Sequence, residues 1–187
     1  MIELLTPTES EAKDNHGRDQ ARAQAAEIAR MVDAAACDYD RLEELTAEHR
    51  DLIETLADQE IQELKEEARL ELRAWEVANL DEVDALREAT NGCTNEDEAR
   101  EAIQLHSLGV EVRSAWDVVG GDTSPAEFRI VLCTGGPHVE IRGELDQYQQ
   151  PRRAWLNYQD WGTPLTQYFD IEQSTLLSYC SHFYFGE

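Results

Sequence analysis

Between Gly17 and Gly92 the chain contains neither glycine nor proline. The interval is rich in alanine, leucine, glutamate and arginine, residues that lose little freedom on entering a helix, so long helix is the expected structure. Apolar residues recur along it at Ala21, Ala25, Ile28, Val32, Ala35, Tyr39 and Leu42. Steps of four and three alternate, which draws a heptad seam. The seam crosses "AAACDYD" without a change of phase, although Asp38 or Asp40 could cap a second helix there. One continuous helix and a broken pair both fit the pattern.

At 100° per residue from Asp40, the side chains of Leu42, Leu45, His49, Leu52, Ile53 and Leu56 fall between roughly 120° and 220°. Opposite them lie Asp40, Glu43, Glu44, Asp51, Glu54 and Asp58, with Glu48 at the edge. After Asp58 the apolar set turns by about 100° to Ile61, Leu64, Ala68, Leu72 and Trp75, and Glu60, Glu63, Glu67 and Glu71 take over the side that had been apolar. A bend or a change of partner is therefore expected near Ala57 to Gln59.

From Asp40 to Asp58 the stripe carries carboxylates at about one per 4 Å of helix, close to the roughly 3.4 Å per phosphate of one DNA strand. Between Asp51 and Glu63 no lysine or arginine offsets the repulsion through pairs four residues apart. The whole chain has 40 acids against 16 bases, a formal charge of −24. A chain so charged repels nucleic acid and the anionic inner leaflet of a membrane, so neither is an expected direct partner. Basic surfaces and cations are.

No run reaches the eighteen or so apolar residues of a membrane span, and "MIELLTPTESEAKDNHG" lacks the basic start and apolar middle of a signal peptide. A cytoplasmic protein is expected. Cys37, Cys93, Cys133 and Cys180 are irregularly spaced, as suits reduced thiols better than a disulfide framework.

Residues 1–110 hold 29 acids and 11 bases, residues 111–187 hold 11 and 5, and of the aromatic residues only Tyr39 and Trp75 precede position 110. Three regions follow: a flexible start over 1–17, an acidic helical region over 18–109, and a strand-bearing region over 110–187. Two shorter helices are expected within the second. "NLDEVDALREATNG" ends in Asn-Gly, and "TNEDEAREAIQLHSLG" opens on Thr94 as N-cap and closes at Gly109.

Beyond it the period becomes two, in "VEVRSAW", "EFRIVLC" and "HVEIRGEL", with "AWLNYQDW" as a fourth strand. Leu176, Leu177, Cys180 and Phe183 mark one face of a last helix. The fold class expected is α+β, an antiparallel meander with a C-terminal helix, preceded by a coiled-coil-like helical arm.

"TGGPH" has glycines enough to suggest a phosphate loop, but it joins two strands and lacks a lysine, so it reads as a hairpin turn. Cys133, His138, Cys180 and His182 lack zinc-ligand spacing, and no metal or other cofactor is expected. No nucleophile elbow occurs and the five histidines are scattered, so no catalytic residue is assigned. His49, on the apolar seam, is read as specifying register or partner. Glu140 and Glu144 share a strand face with His138 and Arg142, which reads as the solvated face of an edge hairpin. In "WLNYQDWGTPLTQYF" most rings should be core, while Trp161, beside a Gly-Thr-Pro turn, could stay exposed as an anchor.

The segments "LCTGGPHVEIRGELD", "WLNYQDWGTP" and "FYFGE" resemble those of small proteins encoded on phages and plasmids of high-GC bacteria, over roughly the last sixty residues. Acidity and size are similar to those of anti-restriction and anti-CRISPR proteins, some of which mimic DNA. That likeness is one of composition and assigns no residue.

The expected function is a non-enzymatic inhibitor whose acidic helical surface blocks the basic groove of a nucleic-acid-binding protein. Asp40, Glu43, Glu44, Glu48, Asp51, Glu54, Asp58, Glu63 and Glu67 would make the contact, with Trp161 added. The alternative is a scaffold that forms a homodimer through the seam from Ala21 to Leu56, the acids serving only solubility. A third account makes the acidity a saline adaptation, in keeping with only two lysines, Lys13 and Lys65.

Overall fold

The computed structural model describes residues 15–116, 118–121 and 123–186. It is an α+β protein with the order α1 (His16–Ala35), α2 (Tyr39–Asp58), α3 (Gln62–Ala89), α4 (Glu96–His106), β1 (Gly109–Ser114), β2 (Pro125–Cys133), β3 (His138–Leu145), β4 (Pro151–Gln159), β5 (Thr166–Tyr168) and α5 (Gln173–Cys180). Contacts divide it into two compact units. One holds the described residues up to Val32 together with those from Glu101 onward, and the other is Asp33–Arg100. Most of α1 thus goes with the sheet and not with the helical region in which the sequence placed it. The expected flexible start over 1–17 falls mostly outside the described residues.

In the first unit five antiparallel strands lie in the order β1-β2-β3-β4-β5. Alternate residues point inward: Phe128, Ile130 and Leu132 from β2, Val139, Ile141 and Leu145 from β3, and Ala154, Leu156 and Tyr158 from β4 are all buried. Against this face pack α5, through Leu176, Tyr179 and Cys180, and the following Phe185, whose ring centroid lies 4.5 Å from that of Phe128. The last helix ends at Cys180, so Phe183 comes from the turns beyond it and not from a helical face. β5 has only three residues, too short to register as a period in the sequence.

Asn15 starts α1 by accepting the Arg18 N–H at 2.9 Å. Next to it the Gly17 N–H donates to Asp160 Oδ2 at 3.3 Å, holding the first turn against the end of β4. Ala21, Ala25 and Ile28, the first half of the predicted seam, are buried. The strip expected to meet a second copy is covered by the protein's own core.

Where α4 meets α5, His106 Nδ1 lies 2.9 Å from the Tyr179 hydroxyl. Burial lowers the His106 pKa, partly opposed by Glu27, and burial pushes the Tyr179 phenol far up. The neutral imidazole accepting from the phenol is the arrangement that suits both shifts. Because the folded pKa lies below the unfolded value of about 6.5, the unfolded chain binds the extra proton first as pH falls. Stability is full above about pH 6.5 and is lost as pH descends toward the folded value. The unfolding midpoint should therefore fall as pH descends below about 6.5, and His106→Gln should flatten that slope.

The second unit is built on a helical hairpin. Asp38 caps α2, its carboxylate accepting from the Arg41 N–H at 2.9 Å, so the chain is broken at Ala36–Asp38 and not continuous. The reversal comes at Gln59–Ile61, where Gln59 and Ile61 have extended dihedrals, immediately after the rotation of the apolar stripe. "NLDEVDALREATNG" is the second half of the 28-residue α3, not a helix of its own. Nothing in the sequence before Leu80 breaks the helix, and Asn91 and Gly92 end it in the left-handed region. At α4 the cap is Asn95, whose side chain accepts from the Glu98 N–H at 2.8 Å. Thr94 instead donates its own N–H and hydroxyl to Glu98.

Candidate functional site

Contacts between α2 and α3 fix the faces of the hairpin. Leu45 and Ala68 are buried, and His49 stacks on Trp75 with ring centroids 4.8 Å apart and planes 7° from parallel. The Trp75 indole N–H donates to Glu48 at 3.0 Å, His49 Nε2 lies 3.4 Å from Glu76, and Arg41 Nε donates to Glu82 at 3.0 Å. Cys37 donates to the Leu86 carbonyl at 3.5 Å. Rising numbers on α2 meet falling numbers on α3, so the helices are antiparallel. His49 sets register, but between two helices of the same chain.

With that inner face fixed, Asp40, Glu43, Asp51, Glu54 and Asp58 lie on the outer side of α2. All five are exposed. Among the described residues none has a base within ion-pair distance. Glu44 shares Arg41 at 3.4 Å, and Glu48 is held by the indole, so these two are partly spent inside the unit. Glu63 and Glu67 are exposed on the side of α3 turned away from α2. They carry the negative surface round the end of the hairpin instead of lengthening the ridge in line. Leu70 and Val77 are exposed on that same outer side, which mixes apolar groups into it.

The outward face of the sheet offers the contrast. β3 is the central strand, which overturns the edge-hairpin reading of Glu140 and Glu144. Glu140 is fully buried there: His138 Nε2 lies 3.0 Å away, Arg142 Nε donates to it, and Arg129 Nη1 is 3.7 Å distant. The expected meander already gave this strand neighbours on both sides; what its period does not record is that side chains of those neighbours cover Glu140, and so the sequence reading missed the burial.

Around this centre Arg129 pairs with Glu111, Arg113 with Glu127, and Arg152 with Glu144. A recess of about 640 Å³ lies over the face, lined in part by Arg142, Trp155, Asn157 and Gln167. Every acid of this lattice has its own arginine. The face is stitched together electrostatically and projects little net field.

The remaining sequence candidates are dispersed. Trp161 is 79% exposed in a turn where Asp160 accepts its backbone N–H at 2.8 Å; that hydrogen bond lowers the Asp160 pKa. Tyr158 and Tyr168 are core as expected, whereas Phe169 is exposed. Cys133 donates to the Pro137 carbonyl at 3.2 Å, closing the "TGGPH" hairpin. Burial raises the thiol pKa of Cys37, Cys93 and Cys180, opposite to the shift that makes a reactive thiolate. Among the described residues no three histidine, cysteine or carboxylate groups converge as metal ligands, and no helix is long and apolar enough to cross a membrane. No family model, curated protein or solved structure matches the chain.

Proposed function

We propose that the chain is a non-enzymatic binding protein whose acidic hairpin occupies a basic, nucleic-acid-binding groove on a partner protein. The observation that carries this reading is the set of five exposed carboxylates along the outer side of α2, none of which has a base within ion-pair distance among the described residues. Carboxylates take the place of phosphates, opposite fields speed the encounter, and affinity falls with salt. Likeness of the tail to phage- and plasmid-encoded proteins fits an inhibitor of a host defence protein. The scaffold reading is weaker, since Ala21, Ala25, Ile28 and Leu45 are buried within the chain.

The last turn of α2 contains no basic residue, so Asp58, with Glu54 one turn before it, sits at the negative end of the helix dipole. Neutralising them should stabilise the hairpin slightly while weakening the complex. A pull-down from the natural host at low and high salt identifies the partner, and titration of it with the D51N/E54Q/D58N variant tests the mechanism. Affinity should drop by about tenfold to a hundredfold at low salt, with the unfolding midpoint unchanged or raised. Equal affinity of variant and wild type would overturn the reading.

A further inference from the structure

The covered face of the sheet stops one strand short. On β2, Phe128 and Ile130 are buried, yet their register partners on β1, Val112 and Val110, are 46% and 38% exposed. Every residue of β1 from Val110 to Ser114 is exposed. Leu105 and Leu108 before the strand, and Trp116 after it, are exposed as well. Among the described residues β1 is also an outer strand of the sheet, with no strand on one side of its backbone. The edge contains no proline and no lysine, and its two charged residues, Glu111 and Arg113, are of opposite sign. The register shift near its end places the extra residue, Ala126, on β2 and leaves β1 itself unbroken.

The sequence of β1 is complementary to itself. In an antiparallel pair of two β1 strands centred on Val112, Val112 faces Val112 of the second copy, Glu111 faces Arg113, and Arg113 faces Glu111. Directly opposed residues share a face, so both charged pairs fall on the ion-paired outer side and the valines fall on the apolar side. There Arg113 already meets Glu127 and Glu111 meets Arg129. Each row of alternating charge would continue across the junction, as Glu127, Arg113, then the second copy's Glu111 and Arg129. No other register of this strand against itself opposes both charged residues to their opposites.

We infer that β1 is a homodimerisation edge, pairing antiparallel with β1 of a second copy about Val112 to make one continuous sheet. Pairing supplies hydrogen bonds along the open edge, and Val110, Val112, Leu108 and Trp116 gain a roof the single chain does not give them. This surface lies in the sheet-bearing unit and does not depend on the acidic hairpin's role.

Charge reversal with mixing tests it on the full chain. Glu111→Arg opposes arginine to Arg113 twice, and Arg113→Glu opposes glutamate to Glu111 twice, so sedimentation should show each variant's dimer weakened at least about tenfold against wild type. In an equimolar mixture of the two variants, the introduced arginine of one faces the introduced glutamate of the other, and the native Arg113 of the first faces the native Glu111 of the second. The mixture should recover the dimer. Both sites are exposed, and the two variants lose the same internal pairs alone or mixed, so recovery reports the junction itself. Three results would overturn the inference: a wild type monomeric to near-millimolar concentration, equal dimer affinity in both variants and wild type, or no recovery on mixing.

Discussion

Gly143→Ala should cost the sheet-bearing unit about 3 kcal/mol or more, enough to unfold it under mild denaturant. Gly143 lies on the inward side of β3, opposite Phe128 on β2 and Ala154 on β4. A Cβ there would overlap both the Phe128 ring and the carbonyl oxygen of Arg153. The ring could turn at the cost of a poorer rotamer and of its contact with Phe185. The carbonyl could move only if β3 and β4 separated, which strains their ladder. F128L/G143A should therefore recover only part of the loss. Urea unfolding followed through Trp155 checks both variants, and full recovery in the double variant would show that the ring alone was the obstacle.

Gly143 also shows where the sequence could be read and where it could not. The alternation Val139, Ile141, Leu145 was enough to define β3, with Gly143 standing as a gap in the apolar series. The gap is filled from the neighbouring strand by a large ring over two small residues, a complementarity across strands that no period within one strand records. The same distinction runs through the molecule. Rotation of the stripe after Asp58 located the hairpin reversal, because helical phase is local. The seam through Ala21, Ala25 and Ile28 showed correctly which side of α1 is covered, but a heptad pattern does not say by what. It proved to be the chain's own core. Exposure of the α2 acids was legible as the opposite face of that pattern. The burial of Glu140 was not, since a carboxylate flanked by charged residues looks the same in sequence at the edge of a sheet and at its centre.

Glu140→Gln should destabilise the same unit by about 2 kcal/mol, less than the roughly 3–5 kcal/mol expected when a fully buried charge loses its only partner. The reason lies in what is left behind. Arg129 keeps Glu111, and the Arg142 side chain is 52% exposed, so both guanidinium groups can be hydrated after the carboxylate is gone. The glutamine amide, however, must turn its NH2 either toward the Arg142 donor or toward His138, whose ring would then have to carry its proton on Nδ1 so that Nε2 could accept. Arg142→Gln alone should cost less than Glu140→Gln, and much less again once Glu140 is already neutral. A double-mutant cycle on urea unfolding should give a coupling of about 1–2 kcal/mol between the two, and additivity within about 0.5 kcal/mol would mean the buried contact contributes nothing. Affinity for the basic partner proposed above should be unmoved by either change below the unfolding transition. These charges are consumed within the sheet, whereas those of Asp51, Glu54 and Asp58 are not, so one set of variants should lower stability and leave binding alone, and the other should lower binding without lowering stability.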